Sequence, residues 1–183
     1  VYFTEPGENN TDTLLEATKR RADELGVRDI VVASTRGETA VKAVRVFEGY
    51  NVVIVTHSTG FKEPGKQELD DAHATQIREG GGRILTASHA FAGVNRAVRK
   101  KFNTIDSADL LAQTLRLLGQ GMKVCVEIVA MAADSGLISM DKEVIAVAGS
   151  GRGADTAVVV KPSHLVDVFD MQVREIIAKP RNL

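Results

Sequence analysis

Residues 33–40 read Ala33-Ser34-Thr35-Arg36-Gly37-Glu38-Thr39-Ala40, the densest run of groups suited to holding an anion. The run follows a short apolar segment and opens an amphipathic one, so it reads as the junction between a strand and a helix. The first N–H groups of a helix have no partner within it, and the helix dipole favours negative charge there. Such a junction accepts phosphate. Ser34, Thr35 and Thr39 add hydroxyl donors, Arg36 adds a guanidinium fork, and Gly37 lets a ligand approach the backbone closely. The competing reading is internal. Thr35 and Glu38 have the spacing of a capping box, which would satisfy the same N–H groups, and Glu38 would repel a phosphate.

Two further loops combine small polar residues with one His, one Phe and one Gly. They are Thr56-His57-Ser58-Thr59-Gly60-Phe61 and Ser88-His89-Ala90-Phe91-Ala92-Gly93. Each follows an apolar run, and in open α/β sheets such loops converge where ligands bind. Phe61 and Phe91 either cover a planar ring, with His57, His89 and the hydroxyls on its polar edge, or pin their own loops to the core. Glu127 is the odd residue in an apolar segment, Val124 to Met131. A buried carboxylate there must be paired, protonated or facing a cavity, and Lys123, four residues back, is a helical partner for it. Asp134, ending the same segment, reaches the same pocket or merely closes the helix.

Other motifs carry less. The turn Gly149-Ser150-Gly151-Arg152-Gly153-Ala154 formally fits a dinucleotide fingerprint, but a strand follows it where that motif needs a helix. It remains either an N–H nest with Arg152, and Thr156 just beyond, beside an anion, or an ordinary β-connection. Ser150 lacks the flanking glycines of a hydrolase nucleophile. The four histidines lack metal-type spacing, and His73 reads as a packing residue. Cys125, the single cysteine, reads as an inert core thiol, and a chain with one cysteine has no internal disulfide. Arg96, Arg99, Lys100 and Lys101 read as a solvated helix face.

The elements that must position these groups alternate. A short strand at Tyr2-Phe3 precedes a helix with Asn10 as its cap, Leu14, Thr18, Ala22 and Leu25 on one stripe, and Gly26 as its stop. Ile30 to Ala33 and Val52 to Val55 are unbroken apolar runs, as in strands covered on both faces. Helices are predicted around Ala40 to Phe47 and Leu69 to Ile77, with a third strand at Ile84-Leu85. The second half predicts a short helix on Val94, Val98 and Phe102, and another capped by Asp106 and carrying Leu110, Leu111, Thr114 and Leu118. The stretch from Met122 to Asp134 fits either period, and its length favours a helix ended by Ser135-Gly136. Strands at Val144 to Ala148 and Thr156 to Val160 flank a turn too short for a helical crossover, so they are antiparallel. A Ser163-capped helix and a strand at Val173 to Ile177 close the chain. The expected fold is a three-layer α/β/α sandwich, its central sheet mostly parallel with an antiparallel segment, formed as one domain over residues 1–183.

With 23 Lys and Arg against 24 Asp and Glu, the formal charge is −1, which argues against a general nucleic-acid binder. No apolar run has the length of a membrane span and no signal segment opens the chain, so a cytoplasmic protein is expected. The chain begins at Val1, which leaves room for a short missing leader.

Gly37-Glu38-Thr39-Ala40 at a helix start resembles the phosphate loop of the C-terminal α/β domain of pyruvate kinases, and Val31-Val32-Ala33-Ser34, Thr59-Gly60-Phe61 and Val124-Cys125-Val126-Glu127 resemble hallmarks of stand-alone proteins of the same fold. Met131-Ala132-Ala133-Asp134-Ser135-Gly136 and Arg152-Gly153-Ala154-Asp155-Thr156-Ala157 are the more specific matches. The closer resemblance is to stand-alone proteins of this fold without a catalytic barrel. It implies a phosphate ligand on the Gly37 loop, and in that group the ligand is FMN, with no settled reaction. Arg36 stands where pyruvate kinases usually have Ser, so sugar-bisphosphate specificity does not carry over. The expected function is binding of FMN, as a flavoprotein of unknown reaction; the alternative is a regulatory module for a sugar phosphate or nucleotide. No pyruvate kinase reaction is expected, since 183 residues leave no room for a barrel of about 250 residues. The expected partner is a small phosphate-bearing molecule, without nucleic acid or membrane, and self-association stays open.

Overall fold

A computed structural model describes residues 1–182. In chain order its elements are β1 (Tyr2–Phe3), α1 (Thr11–Leu25), β2 (Asp29–Ala33), α2 (Glu38–Val46), β3 (Asn51–Val55), α3 (Asp71–Glu79) and β4 (Arg83–Leu85). Then come α4 (Val94–Phe102), α5 (Ser107–Arg116), α6 (Gln120–Asp134), β5 (Val144–Ala148), β6 (Thr156–Lys161) and β7 (Gln172–Pro180). The sheet has seven strands in the order β1-β7-β6-β5-β2-β3-β4. β5, β2, β3 and β4 run parallel. β6 returns antiparallel to β5, and β7 antiparallel to β6. The mostly parallel sheet with an antiparallel segment is as the sequence predicts.

Strand residues sort by a period of two. Ile30, Val32, Val52, Ile54, Ile145 and Val147 join Leu14, Leu15, Val44 and Phe47 on the face covered by α1 and α2. Val31, Val53, Val144, Ala146, Val158 and Val160 join Met122, Cys125, Ile128 and Val129 of α6 on the other. The apolar runs therefore belong to strands covered on both sides. α6 is buried along nearly its whole length, from Gly121 to Ala133. The chain leaves β2 on one side of the sheet for β3 and reaches β5 on the other, so the strand order reverses between β2 and β5. Ligands in open α/β sheets lie beyond the carboxyl ends of strands at such a reversal. No helix of the described residues is long and apolar enough to cross a membrane.

Four local expectations change. Asn10 occupies the α1 cap position, but its side chain does not cap; its amide donates to the Glu5 carbonyl. Gly26 ends that helix as predicted, in left-handed conformation at φ 69°. In α4, Val94 and Phe102 are exposed and Asn95 is the buried residue, because its amide donates to the Phe91 carbonyl and fastens the helix by a polar contact. α5 is capped by Asp106, which accepts from the N–H groups of Ala108 and Asp109, but Leu110 and Leu118 face outward while Ala112 is buried. The segment after Ser163 is a 3-10 turn over Leu165–Asp170, with His164 at its cap position. The Ser163 hydroxyl instead donates to the Asp167 carbonyl.

Candidate functional site

Beyond the carboxyl ends of β2, β3 and β5 lies a cavity of about 1050 Å³. Its walls include Ser34, Thr35, Arg36, Glu38 and Thr39 after β2, His57 and Phe61 after β3, and residues 149–153 after β5. Lys123, Glu127 and Met131 of α6 and Arg96 and Arg99 of α4 line it too. Eight Lys and Arg side chains line this cavity against four carboxylates, in a chain whose net charge is −1. Among the described residues, Arg36, Arg96, Arg116 and Arg152 have no carboxylate within ion-pair distance.

The loop into α2 is held from several sides. Gly37 occupies the cap position at φ 110°, and a Cβ there would stand 2.4 Å from the Cβ of His73. Both facts require glycine. His73 Nδ1 donates to the Arg36 carbonyl at 2.9 Å, and the Asp70 N–H donates to the same oxygen at 3.2 Å. His73 is thus a structural residue, as expected, and it fixes the loop into α2 from α3. The Ser34 hydroxyl is buried and accepts from the Ala40 N–H at 3.3 Å. No capping box forms: the α2 cap makes no side-chain hydrogen bond. The left-handed Gly37 puts the cap two residues later than the Thr35-to-Glu38 reading needs. Ala40 N–H is therefore satisfied by Ser34, while the N–H groups of Glu38 and Thr39 find no acceptor among the described residues.

Along the wall from β3 and β4, His57 Nδ1 lies 2.7 Å from Glu68 Oε2, and Lys62 Nζ lies 2.9 Å from Glu68 Oε1. Burial alone would raise the Glu68 carboxyl, but the hydrogen bonds from His57 and Lys62 outweigh it and hold the group below its ordinary range. The other ring nitrogen of His57 faces Thr35 Oγ1 at 3.4 Å. The Phe61 ring stacks on His57 with centroids 4.1 Å apart, His89 lies 5.1 Å from Phe61, and the Arg96 guanidinium covers Phe61 at 4.5 Å. Burial lowers the His89 pKa; the Glu127 carboxylate opposes this, and His57 and Lys123 add to it.

On the α6 side the polar groups are closed on one another. Lys123 and Glu127 form a buried ion pair one helical turn apart, and Glu127 Oε1 also accepts from the Phe91 N–H at 2.8 Å. The carboxylate is thus both paired and at the cavity wall. Asp155 is fully buried and accepts from the N–H groups of Gly7 and Ser150 and from the Thr156 hydroxyl. α6 packs so closely on this corner that a Cβ on Gly121 would stand 2.2 Å from Thr156 Oγ1. Cys125 is buried beneath, and desolvation pushes its thiol up, so it is an inert core thiol as expected.

Of the candidates named from sequence, Ser34, Thr35, Arg36, Glu38, Thr39, His57, Phe61, His89, Glu127 and Arg152 all line this cavity. Gly37 and Ala40 support it from the α2 end. Thr59, Gly60, Ser88 and Gly93 belong to the flanking loops without reaching the wall, and Phe91 is buried against Ala112 and Val126. Thr156 is enclosed behind Asp155. Asp134 stands apart at the far end of α6, where it accepts from His164 Nδ1 and the Leu165 N–H. Sequence reasoning missed Glu68, Lys62, Arg116 and Gln120, which follow no periodic pattern. It assigned Arg96 and Arg99 to a solvated face. The charges are as exposed as expected, but α4 aims these two at the cavity mouth while Lys100 and Lys101 face away from it.

A family model described as the pyruvate kinase alpha/beta domain matches residues 12–160. Among solved structures, Cryptosporidium parvum pyruvate kinase in complex with ADP is similar at 11% identity and a TM-score of 0.38, over 81% of this chain and 22% of that one. The chain thus spans about a fifth of that pyruvate kinase, a share of 22%. The chain belongs to the pyruvate kinase alpha/beta domain family.

Proposed function

From that membership we propose that the cleft binds a phosphate-bearing ligand, FMN, with its phosphate on the amino end of α2. The observation that carries this is the pair of unpartnered N–H groups at Glu38 and Thr39, flanked by Thr35, Arg36 and the Thr39 hydroxyl and opening into the cavity. An anion there meets the dipole and the free donors together. Its loop is prefixed by His73 and Asp70, so little ordering cost falls on binding.

The rest of the wall fits the remaining parts of FMN. His57, Phe61 and His89 make an aromatic surface for a flat ring, and Arg36 and Arg152 offer charge to a dianion. The cavity volume of about 1050 Å³ is ample for a mononucleotide. FMN bound here would supply redox chemistry; the chain's own part is to hold the phosphate, pack the ring and keep water from one face. Glu38, exposed at the rim, opposes the anion and sets a limit on affinity.

Titration of FMN by flavin fluorescence tests the reading. A charge-assisted contact is worth about 1.5–3 kcal/mol, so Arg36→Ala should weaken binding roughly ten- to a hundredfold with the fold intact. Arg152→Ala should do less. Wild-type protein that leaves FMN fluorescence unchanged at high micromolar concentration would end the flavin reading.

A further inference from the structure

We propose that Thr35, His57 and Glu68 are the nucleophile, base and orienter of an acyl-transfer site for small anionic esters. This goes beyond ligand binding; it shares the α2 N–H groups with that reading but starts from a different observation. Three polar side chains from two loops, those after β2 and β3, form one chain: Glu68 Oε2 to His57 Nδ1 at 2.7 Å, then His57 Nε2 to Thr35 Oγ1 at 3.4 Å. That is the diagnostic order of nucleophile, base and third group, and the first of these contacts is commonly loose before substrate binds.

The orientation is forced. The Glu68 carboxylate is mostly buried and its second oxygen is taken by Lys62 at 2.9 Å. A carboxylate only accepts, so Nδ1 of His57 carries a proton, and in the neutral ring Nε2 is the nitrogen that presents a lone pair to the Thr35 hydroxyl. Phe61, stacked at 4.1 Å, keeps the ring in that plane. Thr35 sits on the turn between β2 and α2, beside the unpartnered N–H groups of Glu38 and Thr39. Those donors are suited to the oxyanion of a tetrahedral intermediate. The excess of Lys and Arg around the cavity selects esters that carry a negative charge.

The steps balance without a further reactant than water. Thr35 Oγ adds to the ester carbonyl carbon while its proton passes to His57 Nε2. The tetrahedral intermediate collapses, the C–O bond to the alcohol breaks, and the alcohol leaves with the proton from His57. Water, deprotonated by the same nitrogen, then cleaves the acyl-threonine to free acid and returns the proton to Thr35.

The test is covalent labelling of the full chain with a fluorophosphonate, read by intact mass and peptide mapping, together with hydrolysis of the para-nitrophenyl monoester of succinate and of para-nitrophenyl acetate. We expect an adduct on Thr35, absent in Thr35→Ala and retained in Thr35→Ser. His57→Ala should slow labelling by about a hundredfold. Glu68→Gln should slow it by roughly tenfold or more and move the inflection of its pH–rate profile, which a merely structural role would leave in place. The succinate ester should be the better substrate. No adduct on either wild type or Thr35→Ser, or labelling indifferent to His57→Ala, overturns the proposal. FMN binding without an adduct overturns it while sparing the flavin reading. An adduct in protein that binds no FMN supports it and ends that reading.

Discussion

The two sides of the cavity handle polar groups in opposite ways. On the side built from the loops after β2, β3 and β4, Glu68 is closed on His57 and Lys62 but several groups are left open: two α2 N–H donors without partners, a hydroxyl facing an imidazole, and Arg36 without a carboxylate. On the side built from α6 and the turn between β5 and β6, the buried groups are closed, Lys123 on Glu127 and Asp155 on three donors, and Arg152 at the turn is, among the described residues, without a carboxylate. Closed groups hold the shape of the wall; open groups are the ones a ligand could meet. Substitutions on the closed side should therefore cost stability, and those on the open side should cost binding.

The largest effect is expected at Lys123. Lys123→Met leaves Glu127 buried with only the Phe91 N–H, and stranding one member of a buried pair costs about 3–5 kcal/mol. Urea unfolding measures it; a loss below about 1 kcal/mol would mean that the pair is solvated and the closed side is not closed. Asp155→Ala should cost about 2–4 kcal/mol, since two backbone N–H groups and a hydroxyl lose their shared acceptor. Thr35→Val, on the open side, should leave the urea midpoint within error while weakening FMN binding by about three- to tenfold. A large stability loss there would break the contrast.

The smallest effect is in pH. His89 is held below its ordinary value of 6.5, chiefly by burial, so the unfolded chain binds its proton more readily than the folded one. Its contribution is intact above about pH 6.5 and is lost as pH falls through the lower folded value. Thermal melts should show a downward drift over that window, and His89→Gln should flatten it.

Most of the fold can be read from residue order. Ile30 to Ala33 and Val52 to Val55 are short unbroken apolar runs, as in strands covered on both faces. The seven residues between Ala148 and Thr156 are too few for a crossover, so the antiparallel return was also legible. The junction between β2 and α2 was legible because strand, small polar residues, glycine and helix follow one another within one short stretch. Whether Thr35 and Glu38 capped the helix was not, since it hangs on the left-handed turn at Gly37 and on His73 packing against it. Glu68 was invisible because it lies in an aperiodic loop and acquires its role from a histidine eleven residues earlier in the same loop. Arg96 reads as surface because a cavity mouth and a solvated face have the same composition; tertiary packing alone separates them.

The claim at the centre of this account is that the amino end of α2 is the phosphate site. Titration of FMN into uniformly 15N-labelled protein, followed by amide resonances, tests it directly. Saturating shifts should be largest at residues 37–40, smaller at Arg152, and negligible at Asp134 and at the buried Asp155. Saturating shifts confined to the turn after β5, with residues 37–40 unmoved, would contradict it.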